Sequence, residues 1–342
     1  MKTSDFDYQL PPKLIAQAPL ERRDQSRLMV LHRDGGAVEH RRFYEIINYL
    51  GSGDTMVFND SRVIPARIIG QKSNNVGKVE ILLLRRLDNN IWETLVQPGR
   101  KLTPGSEIRI VGAPATAGEE MKAEVLEKRD DGISTIHFSD DSLLEKFGRI
   151  PLPPYIHTPL EDPERYQTIY AVKNGSVAAP TAGLHFTSEL LNQLRNKGVR
   201  LAFVTLHIGL DTFRPVRVED PSRHAIHKEY GELTPEVAAM VSETREQGKK
   251  VISVGTSTVR LLEAAAQSGR IEPFRGWVDL LILPGYSFRV TDVMVTNFHL
   301  PRSTLLMMVS AFAGKDFILQ AYEQAKGLNY RFYSFGDAML IL

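Results

Sequence analysis

Cysteine is absent from this chain. That absence removes disulfides, thiolate metal sites, iron–sulfur clusters and cysteine nucleophiles together. Long apolar runs are missing too. The best, Leu305 to Ala313, contains Ser310 and falls short of the roughly 20 residues that span a bilayer. The first residues, Met1 to Asp7, hold no apolar signal segment. A cytoplasmic, membrane-free protein is therefore expected. An excess of one charge sign is also lacking: 42 basic and 41 acidic residues leave +1. Bulk charge gives no support to nucleic-acid binding. No Gly-x-Gly-x-x-Gly and no Walker A stretch occurs, which disfavours a standard Rossmann methyltransferase or dehydrogenase. Gly51-Ser-Gly-Asp follows a helical segment and precedes a strand, the reverse of a dinucleotide fingerprint, and reads as a turn.

What is present centres on residues 175–216. Gly175-Ser-Val-Ala-Ala-Pro-Thr-Ala-Gly-Leu-His185-Phe and Val204-Thr-Leu-His207-Ile-Gly-Leu-Asp-Thr-Phe-Arg-Pro-Val216 are both poor in charge. Between them Thr187 caps a helix, Glu189 suits its positive first turn and Gly198 suits its end. The unit reads loop, helix, strand, loop, with a histidine in each loop.

Two textures divide the 342 residues. From about Val63 to Phe138, short strands alternate with turns: Ala66–Gly70, Val79–Arg85, Trp92–Gln97, Glu107–Val111, Lys122–Glu127 and Ser134–Phe138. That pattern predicts a small β-barrel or sandwich. The rest alternates strands with helices, which predicts an α/β fold, a mainly parallel sheet with helices on both faces. The expected domains are a discontinuous α/β unit, 1–62 and 150–342, with an inserted barrel at 63–149. Strands are also expected at Leu280–Leu283 and Tyr330–Phe335, and a short helix at Phe43–Leu50. Residues 62–109 carry nine Lys or Arg against four Asp or Glu. One segment can thus present a basic face.

Several motifs can carry chemistry, each beside a plainer reading. Val254-Gly-Thr-Ser-Thr-Val-Arg260 ends a strand and opens a helix whose free N–H groups can hold a carboxylate or phosphate; simple capping by Thr256 or Ser257 explains it equally. His185, His207 and His299 follow apolar stretches beside loops, and His224 and His227 lie in a polar segment near Glu229. No His-x-x-x-His or His-x-x-Glu-His spacing occurs, so no metal is expected. These histidines are either acid/base groups or structural hydrogen-bonders. Arg214 and Arg260 can clamp a carboxylate or sit in structural ion pairs. Asn297-Phe-His-Leu-Pro301 is a helix entry or a reader of a heterocycle. Tyr286, Phe288 and Phe298 face a cation or base, or fill the core.

Taken as an ordered set, the motifs resemble the S-adenosylmethionine:tRNA ribosyltransferase-isomerases of queuosine biosynthesis. The resembling stretches are Asp5-Phe-Asp-Tyr, Leu14-Ile-Ala-Gln, Arg27-Leu-Met-Val, Asn59-Asp-Ser-Arg-Val-Ile-Pro-Ala-Arg67, Pro151-Leu-Pro-Pro-Tyr-Ile and Arg165-Tyr-Gln-Thr. Then come Ala179-Pro-Thr-Ala-Gly-Leu-His-Phe-Thr187, Leu206-His-Ile-Gly-Leu, Thr212-Phe-Arg-Pro-Val, Val254-Gly-Thr, Val295-Thr-Asn-Phe-His-Leu-Pro301 and Tyr330-Arg-Phe-Tyr-Ser-Phe-Gly-Asp-Ala-Met339. Two places depart: the family usually has Asn-Asn-Thr-Arg at Asn59 to Arg62, and glycine at Asp211. Asp60 and Asp211 therefore inherit no role.

The resemblance implies transfer of the ribosyl part of S-adenosylmethionine to 7-aminomethyl-7-deazaguanine at a tRNA wobble position. Rearrangement gives epoxyqueuosine, with release of adenine and methionine. S-adenosylmethionine is a consumed co-substrate, so no cofactor is implied. The fold implied is an α/β domain with an inserted β-barrel. The chemistry asks for a base at the ribose carbon beside the sulfonium and an acid for adenine. His185 and His207 are the expected acid/base centre, assisted by His299 or His227. Thr181, Arg214, Thr256, Arg260 and Asn297 are expected to bind substrate. Arg62, Arg67, Lys72, Lys78 and Arg100 are the candidates for RNA phosphates. A monomer is expected. The rival readings are another non-Rossmann S-adenosylmethionine-dependent RNA transferase and a non-catalytic RNA-binding module.

Overall fold

Largely apolar runs, buried throughout, form the middle of the larger sheet. Thr55–Asn59, Val251–Val254, Val293–Asn297 and Ala338–Ile341 are buried at every position. Strands of this kind need cover on both faces. The computed structural model describes residues 1–72, 77–99, 102–111, 119–129, 132–209 and 215–342. It divides into two compact units: residues 1–62, 153–173 and 179–342 form one, residues 63–152 and 174–178 the other.

In the first unit nine strands lie in the order Phe274–Val278, Glu229–Leu233, Arg200–Leu206, Thr55–Asn59, Val251–Val254, Val293–Asn297, Ala338–Ile341, Arg27–Leu31 and Val38–Arg42. The four strands from Arg200–Leu206 to Val293–Asn297 run parallel. Ala338–Ile341 is antiparallel to one neighbour and parallel to the other, and both margins are antiparallel. The sheet is parallel at its centre and mixed overall. Side chains alternate between faces. Met56 and Phe58 pack with Phe186, Leu190 and Leu194 of helix Ser188–Asn196, while Val57 packs with Val237 and Val241 of helix Pro235–Glu246 and Leu261 of helix Thr256–Ala265. Helices Thr304–Ala313 and Lys315–Gly327 cover the same side further along. No single described helix is long and apolar enough to cross a membrane; this last pair has the apolar length only in sum and bends by 112°.

Two local expectations fail, and a third is refined. Leu280–Leu283 is loop, and its apolar character comes from packing on the core, with Ile282 buried. Tyr330–Phe335 is not a strand. Positive φ at Asn329 and Tyr333 breaks the extended path, and Tyr330 and Phe332 are inserted into the core instead. The segment Phe43–Tyr49 is a 3-10 helix. The marginal strands Val38–Arg42, Glu229–Leu233 and Phe274–Val278 are not evident in the sequence because they are short and polar at alternate positions.

In the second unit six antiparallel strands close a barrel: Ile133–Phe138, Ile91–Gln97, Lys78–Asp88, Arg67–Lys72, Glu107–Ile110 and Met121–Lys128. Alternate residues such as Ile68, Ile81, Ile108, Met121 and Ile136 fill it. Gly70 is required by closeness: a Cβ there would lie 2.5 Å from Ile108 Cγ2.

Candidate active site

The carboxyl ends of Val251–Val254 and Val293–Asn297 open onto a cleft of about 620 Å³. This is the favoured ligand position in sheets with parallel centres. Gly255 turns one strand into its helix at φ 89°, a conformation that suits glycine. The helix start has no side-chain cap. Its first N–H groups, at Thr256 to Thr258, find no acceptor among the described residues. Asn59 braces this start: its Nδ2 donates to Ser257 Oγ (3.1 Å) and Leu206 O (2.9 Å). Its Oδ1 accepts from the N–H groups of Ser61 and Leu206.

Arg260 lines the cleft but is already engaged. It donates to Glu229 Oε2 at 2.6 Å in a buried ion pair, and to the carbonyls of Leu280 and Val278. Glu229 Oε1 in turn accepts the Gly209 N–H at 2.8 Å. The pair thus ties the loop after Arg200–Leu206 to the helix that begins at Thr256.

Asn297 ends its strand inside the cleft. Its Oδ1 accepts from Thr181 Oγ1 (3.0 Å). Its Nδ2 faces His185 Nε2 (3.2 Å) and the Tyr333 carbonyl (3.3 Å). An amide donor at Nε2 leaves the ring proton on Nδ1, where Ser26 Oγ accepts it at 2.7 Å. Phe43 stacks on the His185 ring at 4.8 Å. Burial, aided by Arg331 and Arg23, pushes the His185 pKa down to about 3. Burial alone does the same for His299, also to about 3. His299 lines the cleft, bonded through Nε2 to Thr296 Oγ1 at 2.6 Å; its Nδ1 has no partner among the described residues. Both imidazoles are neutral near pH 7.

The cleft thus gathers Thr181, Thr256, Arg260, Asn297 and His299, with His185 behind Asn297. His207 is half-buried, next to Ile208, which lines the cleft; its Nδ1 is buried without a partner among the described residues, and burial lowers its pKa. His227 is exposed and does not line the cleft. Arg62 pairs with Glu164. In the barrel unit Arg67 pairs with Glu80 at 3.1 Å, Lys72 is half-buried and Lys78 is exposed. Arg214 and Arg100 lie outside the described residues. Phe298 is core and also meets the cleft, while Tyr286 and Phe288 pack against the core. Among the described residues, no group of three His, Asp or Glu side chains is placed to hold a metal ion.

Comparison with known proteins gives the same picture along the whole chain. Residues 3–341 match the model of a family described as queuosine biosynthesis protein. The chain belongs to this family. An S-adenosylmethionine:tRNA ribosyltransferase-isomerase of Dehalococcoides mccartyi is 57% identical over all of both chains. One from Symbiobacterium thermophilum is 52% identical, again over all of both. A crystal structure of S-adenosylmethionine tRNA ribosyltransferase from Thermotoga maritima has 44% identity and a TM-score of 0.58, covering 99% of this chain and 100% of that one.

In this queuosine biosynthesis chain, sequence reasoning passes over Tyr155, Glu229, Thr296, Tyr333 and Ser334 as cleft residues. The one usable signal is the stretch Tyr330 to Asp337, a family motif whose apolar pattern reads as a strand. Tyr333 has φ 71°, rare for a bulky residue. Its carbonyl accepts from Asn297 Nδ2 at 3.3 Å.

Proposed function

We propose that this chain transfers and isomerises the ribosyl group of S-adenosylmethionine onto 7-aminomethyl-7-deazaguanine at a tRNA wobble position. Epoxyqueuosine forms in the tRNA, and adenine and methionine leave. The observation that carries this reading is identity of 57% over the full length with a protein named for the activity. The cleft supports it by position and lining: it lies at the carboxyl ends of two parallel strands and gathers Thr181, Thr256, Asn297 and His299. S-adenosylmethionine is consumed, and the reading calls for no prosthetic group or metal. A tRNA substrate fits a cytoplasmic monomer.

The residues divide the work. The methionine carboxylate docks on the unspent N–H groups at Thr256 and Ser257, where the helix dipole favours an anion. Arg260 shapes that wall through Glu229 and does not supply a free clamp. A neutral His299 or His185 has a lone pair for the proton of the ribose carbon next to the sulfonium, but an imidazole with a pKa of about 3 is a weak base, so the bound substrate has to raise its basicity for this step. Once protonated, a buried imidazole of such low pKa is a strong acid and passes its proton to departing adenine. Asn297 shields His185 Nε2 and must shift before substrate reaches it. His207 is the remaining candidate acid.

One incubation tests the reaction: protein, S-adenosylmethionine and tRNA carrying the aminomethyl base, with products weighed by mass spectrometry. Adenine, methionine and epoxyqueuosine together are expected. Methylated tRNA with S-adenosylhomocysteine would replace this reading.

A further inference from the structure

Behind His185 lies a second, narrow cavity, lined among others by Leu20, Arg23, Ser26, Arg165 and Ser334. No carboxylate is among its lining residues. Arg23 donates only to backbone carbonyls, those of Gln167 (2.7 Å), Glu164 (3.0 Å) and Leu184 (3.4 Å). Arg165 does the same toward Glu21 (3.1 Å) and Leu20, and its Nε is buried with no partner among the described residues. Arg331 acts electrostatically on His185 from nearby. It gives one guanidinium nitrogen to the Ala18 carbonyl and leaves Nη1 buried and, among the described residues, unpartnered.

Nearby carboxylates offset part of this charge: Asp162 and Glu164 act on Arg23, Asp337 acts on Arg331, and buried Asp24 keeps one oxygen without a partner among the described residues. Glu164 also pairs with Arg62, Asp162 accepts the Glu164 N–H at 2.9 Å, and Asp337 accepts from Arg27 and from the Arg331 N–H. Backbone carbonyls satisfy hydrogen bonds but do not neutralise guanidinium charge. Buried donors without acceptors are costly, and a group with several anionic oxygens removes that cost best. His185 is neutral and sits at the wall, so it adds no charge, while Ser26 can turn its hydroxyl toward a ligand.

We propose that this cavity is an oxyanion site that takes a backbone phosphate of the RNA. The inference rests on the reaction proposed above. Phosphate fits the excess of cationic donors; the carboxylate of S-adenosylmethionine carries the same chemistry, and the test separates the two.

The test compares wild type, R165Q and R165K. Binding of the aminomethyl-bearing tRNA and of S-adenosylmethionine is measured across roughly 50–200 mM salt. R165Q is expected to weaken tRNA binding and make the slope of log K against log salt shallower by about 0.7, one single-strand phosphate contact. R165K keeps the slope. A loss confined to S-adenosylmethionine affinity assigns the oxyanion to the methionine carboxylate. Because Arg165 also ties two carbonyls, R165Q is expected to melt lower. A lower Tm with unchanged slope and unchanged affinities makes Arg165 a structural staple and overturns the proposal. Turnover and the Tm shift with inorganic phosphate are read on the same proteins. Wild-type turnover with unaltered R165Q binding sinks the cavity alone. Absent turnover, with a phosphate-dependent rise in Tm that R165Q loses, sinks the reaction and keeps the cavity.

Discussion

Two buried histidines give the clearest consequences at the scale of single residues. His185 and His299 resist protonation down to about pH 3 in the folded chain, against 6.5 for an ordinary histidine. The unfolded state therefore binds more protons between those values. Stability is full above pH 6.5 and is lost as pH falls, by about 1.4 kcal/mol per pH unit for each histidine. Urea unfolding at pH 7 and pH 5 should show that loss in wild type and a smaller one in His299→Gln; equal losses would refute it. Turnover should fall by at least about 100-fold in His185→Ala and in His299→Ala, the low end for removed acid/base groups. Near-normal turnover in both would end their catalytic assignment. Arg260 calls for a different reading. Its ion pair with Glu229 is buried on both sides. Arg260→Ala leaves a lone buried carboxylate and should destabilise by about 3–5 kcal/mol, so a weaker affinity for S-adenosylmethionine in that variant reports folding before recognition.

Elements show how much the sequence could reveal. Helix starts are legible because caps are local: Thr187, Thr234 and Ser303 each accept an N–H three residues on. Ser303→Ala should cost about 1 kcal/mol in chemical denaturation. The six barrel strands are legible because period-two alternation and turns mark them. Leu280–Leu283 and Tyr330–Phe335 mislead because an apolar run looks the same whether it pairs as a strand or plugs a core. The histidine loops stand out, yet their partners do not. Nothing local links Ser26, Thr181 and Asn297 to one imidazole; only the sheet brings them together. Gly70 is equally silent. Gly70→Ala should lower the barrel's stability by about 1–3 kcal/mol through overpacking against Ile108, read by hydrogen exchange of the barrel amides. Unchanged exchange would mean that Ile108 yields freely.

The whole molecule is nearly neutral, at +1. Affinity for RNA must then come from local cationic features rather than overall attraction. A generic polyanion such as heparin should bind weakly at about 150 mM salt, where the Debye length is about 8 Å. Tight heparin binding at that salt would contradict this.

The sheet's middle also sets a timetable for the newborn chain. Thr55 pairs with Arg200, and its other neighbour is Val251. The barrel strands between them all find partners within residues 67–138. At about 5–20 residues per second, Thr55–Asn59 waits roughly 7–29 s for its first parallel neighbour. During that interval the barrel can form, while a strand destined to be wholly buried has no mate. The protein should therefore lean on chaperones early in synthesis, and the first protease-resistant piece of a stalled nascent chain should be the barrel.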